Sequence, residues 1–292
     1  MPRRIAVVTD STASLPAGLV EAADLMVVPL EVVVEGTPYR EGVDLGVARL
    51  VEALRSGASV STAQPGPEAF ARTYARAIAR GADEIVSVHL SGTLSGTVAS
   101  AEAAGRGAAV PVHVVDSGTV GMGLGFAALA AARFAARADA DEPPPVHGWG
   151  VAARDAARAR AARSSVLFAV DSLDHLRRGG RLSPLAAALG TVLGLRPVLG
   201  VRSGRLDVVE KARTARRARE RLLELSVEDA GRRTRCDVAV QHLEQPEVAA
   251  QLAEELRSLL GAGLGSLHVA EVSAVLGAHV GPGVLCVVVV DA

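Results

Sequence analysis

Short apolar runs rich in β-branched residues alternate with longer stretches of helical spacing through the first half of the chain. Ile5–Val8 is such a run, and the polar Asp10-Ser11-Thr12 that follows it predicts a buried strand leading through a turn into a helix around Pro16–Ala23. Leu25–Val34 predicts one or two strands, interrupted at Pro29 because proline has no N–H for a ladder. Helical periodicity covers Leu45–Ser56 and Pro67–Arg80. Ile85–Leu90 and Val112–Val115 read as further strands, and Gly125–Ala138 as an alanine-rich helix. This alternation, continuing to about residue 165, predicts a three-layer α/β/α domain over 1–165 with a parallel sheet covered on both faces.

Asp139–Pro145, charged and then triple proline, marks a break, after which Val151–Arg163 resumes as a helix. The pattern then changes. Val166–Val170, Pro197–Val201, Leu206–Glu210, Asp237–His242, Leu267–Glu271 and Val284–Val290 are candidate strands, and Arg202-Ser203-Gly204-Arg205 joins two of them at hairpin spacing. With amphipathic helices over Ala212–Ser226 and Glu247–Leu260, residues 166–292 predict a two-layer α/β domain with a mixed sheet. The uncharged stretch Ser273–Val290 contains Gly277, His279, Gly281, Pro282 and Gly283, so it reads as strand, turn, strand rather than as a membrane span.

Composition narrows the function classes. The 292 residues carry 31 Lys+Arg against 32 Asp+Glu, a formal net charge of -1, which removes the basic footprint of a general nucleic-acid binder. Lys211 is the single lysine, so 30 of those 31 basic residues are arginine, a bias of composition rather than a site. Cys236 and Cys286 lie far apart in apolar runs, which fits buried thiols and neither a zinc cluster nor a disulfide framework. The apolar run near the start is too short for a signal peptide, so a soluble cytoplasmic protein is expected.

Four hydroxyl- and glycine-rich segments stand out as candidate chemistry: Thr9-Asp10-Ser11-Thr12, Ser61-Thr62-Ala63-Gln64-Pro65, Ser91 through Thr97, and Asp116-Ser117-Gly118. Three of them follow a predicted strand, where open α/β sheets place ligand loops. Helix starts leave N–H groups unpaired, hydroxyls add donors without charge, and glycine admits an anion to the backbone. Ser, Thr and Asp are equally ordinary helix caps; four such loops in one domain point to a shared anion site. Gly179-Gly180-Arg181 suggests a turn presenting a guanidinium, and His279 beside Gly281-Pro282-Gly283 a group that exchanges protons near neutral pH.

Other chemistries fail on spacing. There is no GxxxxGK[ST] and no GxSxG, and Gly121-Met122-Gly123-Leu124-Gly125 does not complete the dinucleotide fingerprint. The seven histidines include no i, i+4 pair, so no metal is expected, and no cofactor. The basic run Lys211, Arg213, Arg216, Arg217, Arg219, Arg221 is offset by Glu210 and Glu220 and reads as a solvated helix face or a surface for an acidic partner.

The motifs together resemble the DegV family. Val7 through Ala13, Thr62-Ala63-Gln64-Pro65, Leu94-Ser95-Gly96-Thr97, Val115-Asp116-Ser117, Gly179 through Ser183, Arg196-Pro197, Ala212-Arg213-Thr214 and His279 through Gly283 occur in the family's order over essentially the whole chain. The resemblance implies two α/β domains holding a long-chain fatty acid between them, the second domain closing the lipid tunnel. It implies a non-catalytic subunit that presents the carboxyl group to a separate ATP-binding fatty acid kinase subunit and carries the acyl phosphate. It assigns the carboxylate to Thr62 and Ser95, with His279 nearby, and places Arg181 and Arg213 near the head group or the kinase-docking face. Asp10, Ser11, Gly96, Thr97, Asp116 and Ser117 complete the expected supporting or partner-facing set. Transient contact with a membrane surface is compatible with such a role. Two departures are visible: Ala63 where the family usually has Ser, and Gly92 where many relatives have a second Ser.

Burying an acyl chain contributes about 0.8 kcal/mol per CH₂, so the tunnel would supply most of the affinity and the polar end the orientation. Two other readings compete: a stand-alone serine hydrolase using Ser95 or Ser117 with His279 and Asp10 or Asp116, and a fatty-acid reservoir or sensor without a kinase partner.

Overall fold

The computed structural model describes residues 4–139, 143, 145–182 and 196–292. Ser183 of the Gly179–Ser183 motif and part of the Asp139–Pro145 break lie outside the described residues. In chain order the strands are β1 (Ile5–Asp10), β2 (Leu25–Val28), β3 (Glu31–Val34), β4 (Thr37–Arg40), β5 (Val60–Ala63), β6 (Glu84–His89), β7 (Val112–Asp116), β8 (Ser165–Ala169), β9 (Val198–Arg202), β10 (Arg205–Glu210), β11 (Cys236–His242), β12 (Leu264–Glu271) and β13 (Leu285–Asp291). The helices are α1 (Ala17–Ala22), α2 (Val47–Arg55), α3 (Pro67–Ala79), α4 (Thr97–Gly105), α5 (Met122–Asp139), α6 (Trp149–Ala162), α7 (Asp174–Arg178), α8 (Ala215–Ala230), α9 (Pro246–Leu260) and α10 (Ala274–Val280).

These elements form two compact units, Met1–Glu31 with Ala63–Ala162, and Val32–Thr62 with Arg163–Ala292. The first unit holds a four-stranded parallel sheet in the order β2-β1-β6-β7. Helices α3 and α4 cover one face, where Phe70, Tyr74, Ala77, Ala101 and Ala104 pack on Val8, Met26, Val28 and Ile85. Helices α5 and α6 pack together and against β1, β6 and β7 to make the third layer. Coverage on both faces explains why β6 is buried at every position and shows no polar alternation. The register Thr9↔Val88 and His89↔Asp116 lines up the carboxyl ends of β1, β6 and β7, so the loops beginning at Asp10, Leu90 and Asp116 leave the sheet along one edge.

The second unit carries a six-stranded mixed sheet in the order β10-β9-β8-β13-β11-β12, antiparallel except for the β11–β12 pair. Ala218 and Leu222 of α8 and Leu252 and Leu256 of α9 pack on Val198, Val238, Val240, Leu285, Val287 and Val289. Thr214 caps α8 by accepting from the Arg217 N–H at 3.1 Å, and Pro246 opens α9 where an N–H would be unpaired anyway. The hairpin between β9 and β10 turns at Ser203 and Gly204, both with positive φ, the twist that a two-residue connection requires. Cys236 and Cys286 are buried free thiols, and burial pushes the Cys286 thiol up to about 12.

Three sequence expectations change. Residues 32–62 belong with the second unit, so that unit is built from two separate stretches of chain rather than from 166–292 alone. Within the excursion, β3, β4 and β5 form a three-stranded sheet, and Thr62 sits on β5 instead of in a plain loop ahead of α3. The third change concerns Ser273–Val290: its first half is helix α10, followed by a turn and then β13.

Candidate functional site

In the first unit the polar loops are largely braces. The Asp10 carboxylate is completely buried. It accepts from Thr12 N–H at 3.1 Å and Thr12 Oγ1 on one oxygen, and on the other from Leu90 N–H at 3.1 Å, with His89 Nδ1 at 3.0 Å. The network continues from His89 Nε2 to Ser87 Oγ at 2.7 Å and from Tyr74 Oη to Ser87 Oγ at 2.9 Å. A single direction satisfies every atom: Tyr74 donates to Ser87, Ser87 to Nε2, and Nδ1–H to Asp10. Burial pushes the Tyr74 hydroxyl up to about 12, which keeps it a donor. This Ser–His–Asp line has the order of a hydrolase triad, yet Ser87, His89 and Asp10 are all fully enclosed, so it serves as internal support for the end of β6.

Ser11 and Asp116 are similar. Ser11 Oγ accepts from Leu30 N–H at 3.0 Å, holding β2's exit to β1. Asp116 Oδ1 accepts from Gly92 N–H at 3.1 Å and Gly118 N–H at 2.9 Å, tying two loops together. A Cβ at Gly92 would lie 2.7 Å from Asp116 Oδ2, which accounts for the glycine there. Ser117 is buried and bonded to Thr119, its N–H to His89 O.

Ser95 differs. Its half-buried hydroxyl exchanges a 2.8 Å bond with Thr97 Oγ1 and is only 3.4 Å from Thr97 N–H, while the cap position of α4 is Gly96, which has no side chain to offer. A Cβ at Gly96 would collide with the Gln64 amide, 1.9 Å from Oε1, so the Thr62–Pro65 motif leans on the Leu94–Thr97 motif through these two residues.

In the second unit, Thr62 Oγ1 and His279 Nε2 are 2.8 Å apart, bringing together residues 217 positions distant in sequence. The helix carrying His279 is held along its length by the excursion and its surroundings. Ser273 Oγ caps it at Leu276 N–H, the Glu41 carboxylate accepts from Ala274 N–H, and Gly277 lies between Leu50 and Leu243. Burial and, second to it, the nearby Arg181 guanidinium lower the His279 pKa to about 4, so the ring is neutral at pH 7. Arg181 Nη1 donates to Gly179 O. Arg213 is exposed on the approach to α8, beside exposed Lys211, Arg216 and Arg217.

Of the residues singled out from sequence, Thr62, His279 and Arg181 therefore gather in one unit, and Ser95, Gly96 and Thr97 with Asp10, Ser11, Asp116 and Ser117 in the other; the four loops do not share a single unit. Sequence reasoning missed His89, Tyr74 and Glu41, and gave Gln64 no role of its own within its motif. His89 at the end of a strand, one residue before a Ser/Gly loop, was the available signal. Among the described residues no cluster of His, Cys, Asp and Glu is arranged to hold a metal, and no helix is long and apolar enough to cross a membrane.

A parallel α/β/α unit with hydroxyl loops at its carboxyl edge, joined in one chain to a mixed-sheet unit that carries the Thr62–His279 pair, defines a two-unit α/β protein. The model of the family described as "uncharacterised protein, DegV family" matches residues 4–292, and the chain belongs to the DegV family. A DegV domain-containing protein of Streptomyces coelicolor is 47% identical over 290 residues, covering 99% of both chains. Among solved structures, a DegV family protein from Thermus thermophilus described by its fatty acid binding superposes with a TM-score of 0.86 at 34% identity, covering 99% of this chain and 100% of that one. DegV of Bacillus subtilis, described as a fatty acid binding protein, gives 0.87 at 31% identity over the same shares.

Proposed function

We propose that this protein binds one long-chain fatty acid and presents its carboxyl group to a separate ATP-binding kinase subunit. The observation that carries the reading is the Thr62–His279 pair, a neutral polar couple with a cation, Arg181, close by. The Thr62 hydroxyl has a single proton. When His279 Nε2–H donates to Thr62 Oγ1, that proton is left for a carboxylate oxygen; the opposite tautomer consumes it. A bound carboxylate therefore selects the Nε2–H form. Ser95, with its half-buried hydroxyl, is the second proposed donor. Neutral donors orient a carboxylate without the strong ion pair that would blunt its attack on a phosphoryl group. The fatty-acid binding described for the relatives from Thermus thermophilus and Bacillus subtilis supports the ligand class.

Delipidated protein is expected to bind palmitate or stearate saturably, one per chain, as read by native mass spectrometry and titration. Thr62→Ala and Ser95→Ala should each weaken binding by about 1.5–3 kcal/mol, the range for a hydrogen bond to a charged group, while leaving the melting temperature nearly unchanged. Unchanged affinity with lowered melting temperature would show these hydroxyls to be structural.

A further inference from the structure

The two glycines before Arg181 do different work. Gly180 has φ +67° with nothing within 4 Å of an added Cβ, so it is glycine for backbone conformation alone. Gly179 has φ −72° and ψ −12°, an ordinary helical conformation that alanine adopts freely. Its constraint is space: a Cβ there would lie 2.3 Å from His279 Nδ1 and 3.0 Å from Cε1. The imidazole thus rests directly on the Gly179 backbone. The same residue's carbonyl accepts the hydrogen bond from Arg181 Nη1. The arrangement is reciprocal, since a Cβ at Gly281 would lie 2.4 Å from His175 Cδ2. The turn after α7 and the turn after α10 are therefore locked together by two rings, each seated on the other turn's glycine.

We propose that Gly179 is a positioning residue for the head-group site: its bare Cα face seats the His279 ring so that Nε2 meets Thr62, and its carbonyl fixes Arg181 on the same wall. The site thereby holds a threonine hydroxyl and an imidazole in fixed relation, with the Arg181 guanidinium engaged by the Gly179 carbonyl, suited to the carboxylate end of a fatty acid. This inference rests on the reading of His279 as part of the carboxylate site.

The test compares Gly179→Ala, Gly180→Ala, His279→Ala and the Gly179→Ala/His279→Ala double variant of the full chain, with palmitate affinity, melting temperature and the His279 Cε1–H NMR titration as readouts. Gly179→Ala is expected to weaken palmitate binding about tenfold or more, because a Thr62 hydroxyl without its His279 partner is no longer oriented for its hydrogen bond to the carboxylate, and to move the His279 resonance and its titration toward that of a free histidine. Its melting temperature should fall as well, because the added Cβ must displace a ring packed between two turns, so the His279 resonance and the double variant are what separate positioning from folding. Gly180→Ala should lower the melting temperature without moving the His279 resonance. In the His279→Ala background, Gly179→Ala should have no further effect on affinity. Parent-like affinity, an unmoved His279 resonance, or an equal loss in both backgrounds would overturn the proposal. If His279→Ala itself binds palmitate normally while Gly179→Ala still moves the His279 resonance, the head-group reading fails and the seat remains.

Discussion

At the scale of single residues the molecule separates side chains that brace from side chains that are left available. Asp10 is the clearest brace, since both carboxylate oxygens accept hydrogen bonds in a fully buried place. Asp10→Asn replaces one acceptor oxygen with an NH₂ donor facing donors. It should cost about 2–4 kcal/mol in chemical denaturation, above a neutral hydrogen bond because a charged acceptor is lost and a donor is stranded. A cost below about 1 kcal/mol would refute the bracing role. His279 gives a pH signature. Its pKa falls from 6.5 in the unfolded chain to about 4 in the fold. Between those values the unfolded chain binds more protons, so stability rises with pH through this window: the contribution is complete above pH 6.5 and is lost as pH falls toward 4. For a half-buried ring this is on the order of 2 kcal/mol. The difference in unfolding free energy between parent and His279→Gln across this window is the measurement, and a pH-independent difference would contradict the assignment. Much of this scale was legible in the sequence, because hydroxyl, glycine and aspartate after a strand name loop chemistry directly. Which carboxylates are saturated was not: the partners of Asp10 at His89 and Leu90 come from another strand, and only the register of β1 on β6 brings them together.

At the scale of elements, the strands and long helices follow the apolar periodicity closely, because burial on one or both faces leaves a direct imprint on composition. Helix α10 escaped that reading. Its seven residues include Gly277 and end at a glycine turn, and the apolar content suits a strand equally well. What makes it helical is tertiary: the Ser273 cap, the Glu41 carboxylate at Ala274 N–H, and the fit of Gly277 between Leu50 and Leu243. Glu41→Ala should therefore remove about 1 kcal/mol of stability, the worth of a helix-start acceptor, and raise hydrogen exchange first in residues 274–280. Uniform loss of protection across the second unit would instead indicate a global role. The β3-β4-β5 sheet was half visible for a similar reason: its strands are four residues each, and β4 contains Pro38 and is largely exposed.

For the whole molecule, the kinase-partner reading makes the arginine-rich approach to α8 a docking surface. Lys211, Arg213, Arg216 and Arg217 are exposed, countered by Glu220 and Glu224 on the helix itself. Arg213→Ala should slow acyl-phosphate formation with a kinase subunit, and more so at low ionic strength, while palmitate affinity stays unchanged. Normal turnover would exclude Arg213 from docking. The division into units was the least legible level. A count of strands and helices gives two α/β domains, but the assignment of 32–62 to the second unit depends on which sheet and helix those residues pack against, information carried by pairs such as Thr62 with His279 and Glu41 with Ala274, more than two hundred residues apart.

That excursion also orders events in time. A ribosome delivers the chain from its first residue, and the excursion's partners in the second unit begin only at Arg163. Residues 32–62 thus emerge with their strands and Thr62 in place but with no helix to dock on until α10, near the far end of the sequence, has been made. Closing so long a loop carries an entropic cost that local contacts do not repay, and non-local pairing of this kind slows folding. The first unit is interrupted by the same stretch, yet all its strands and helices are present once Ala162 has been translated, so it can consolidate first. Thr62 and His279 are accordingly among the groups that meet late, and the proposed head-group site is assembled only once most of the second unit has been made.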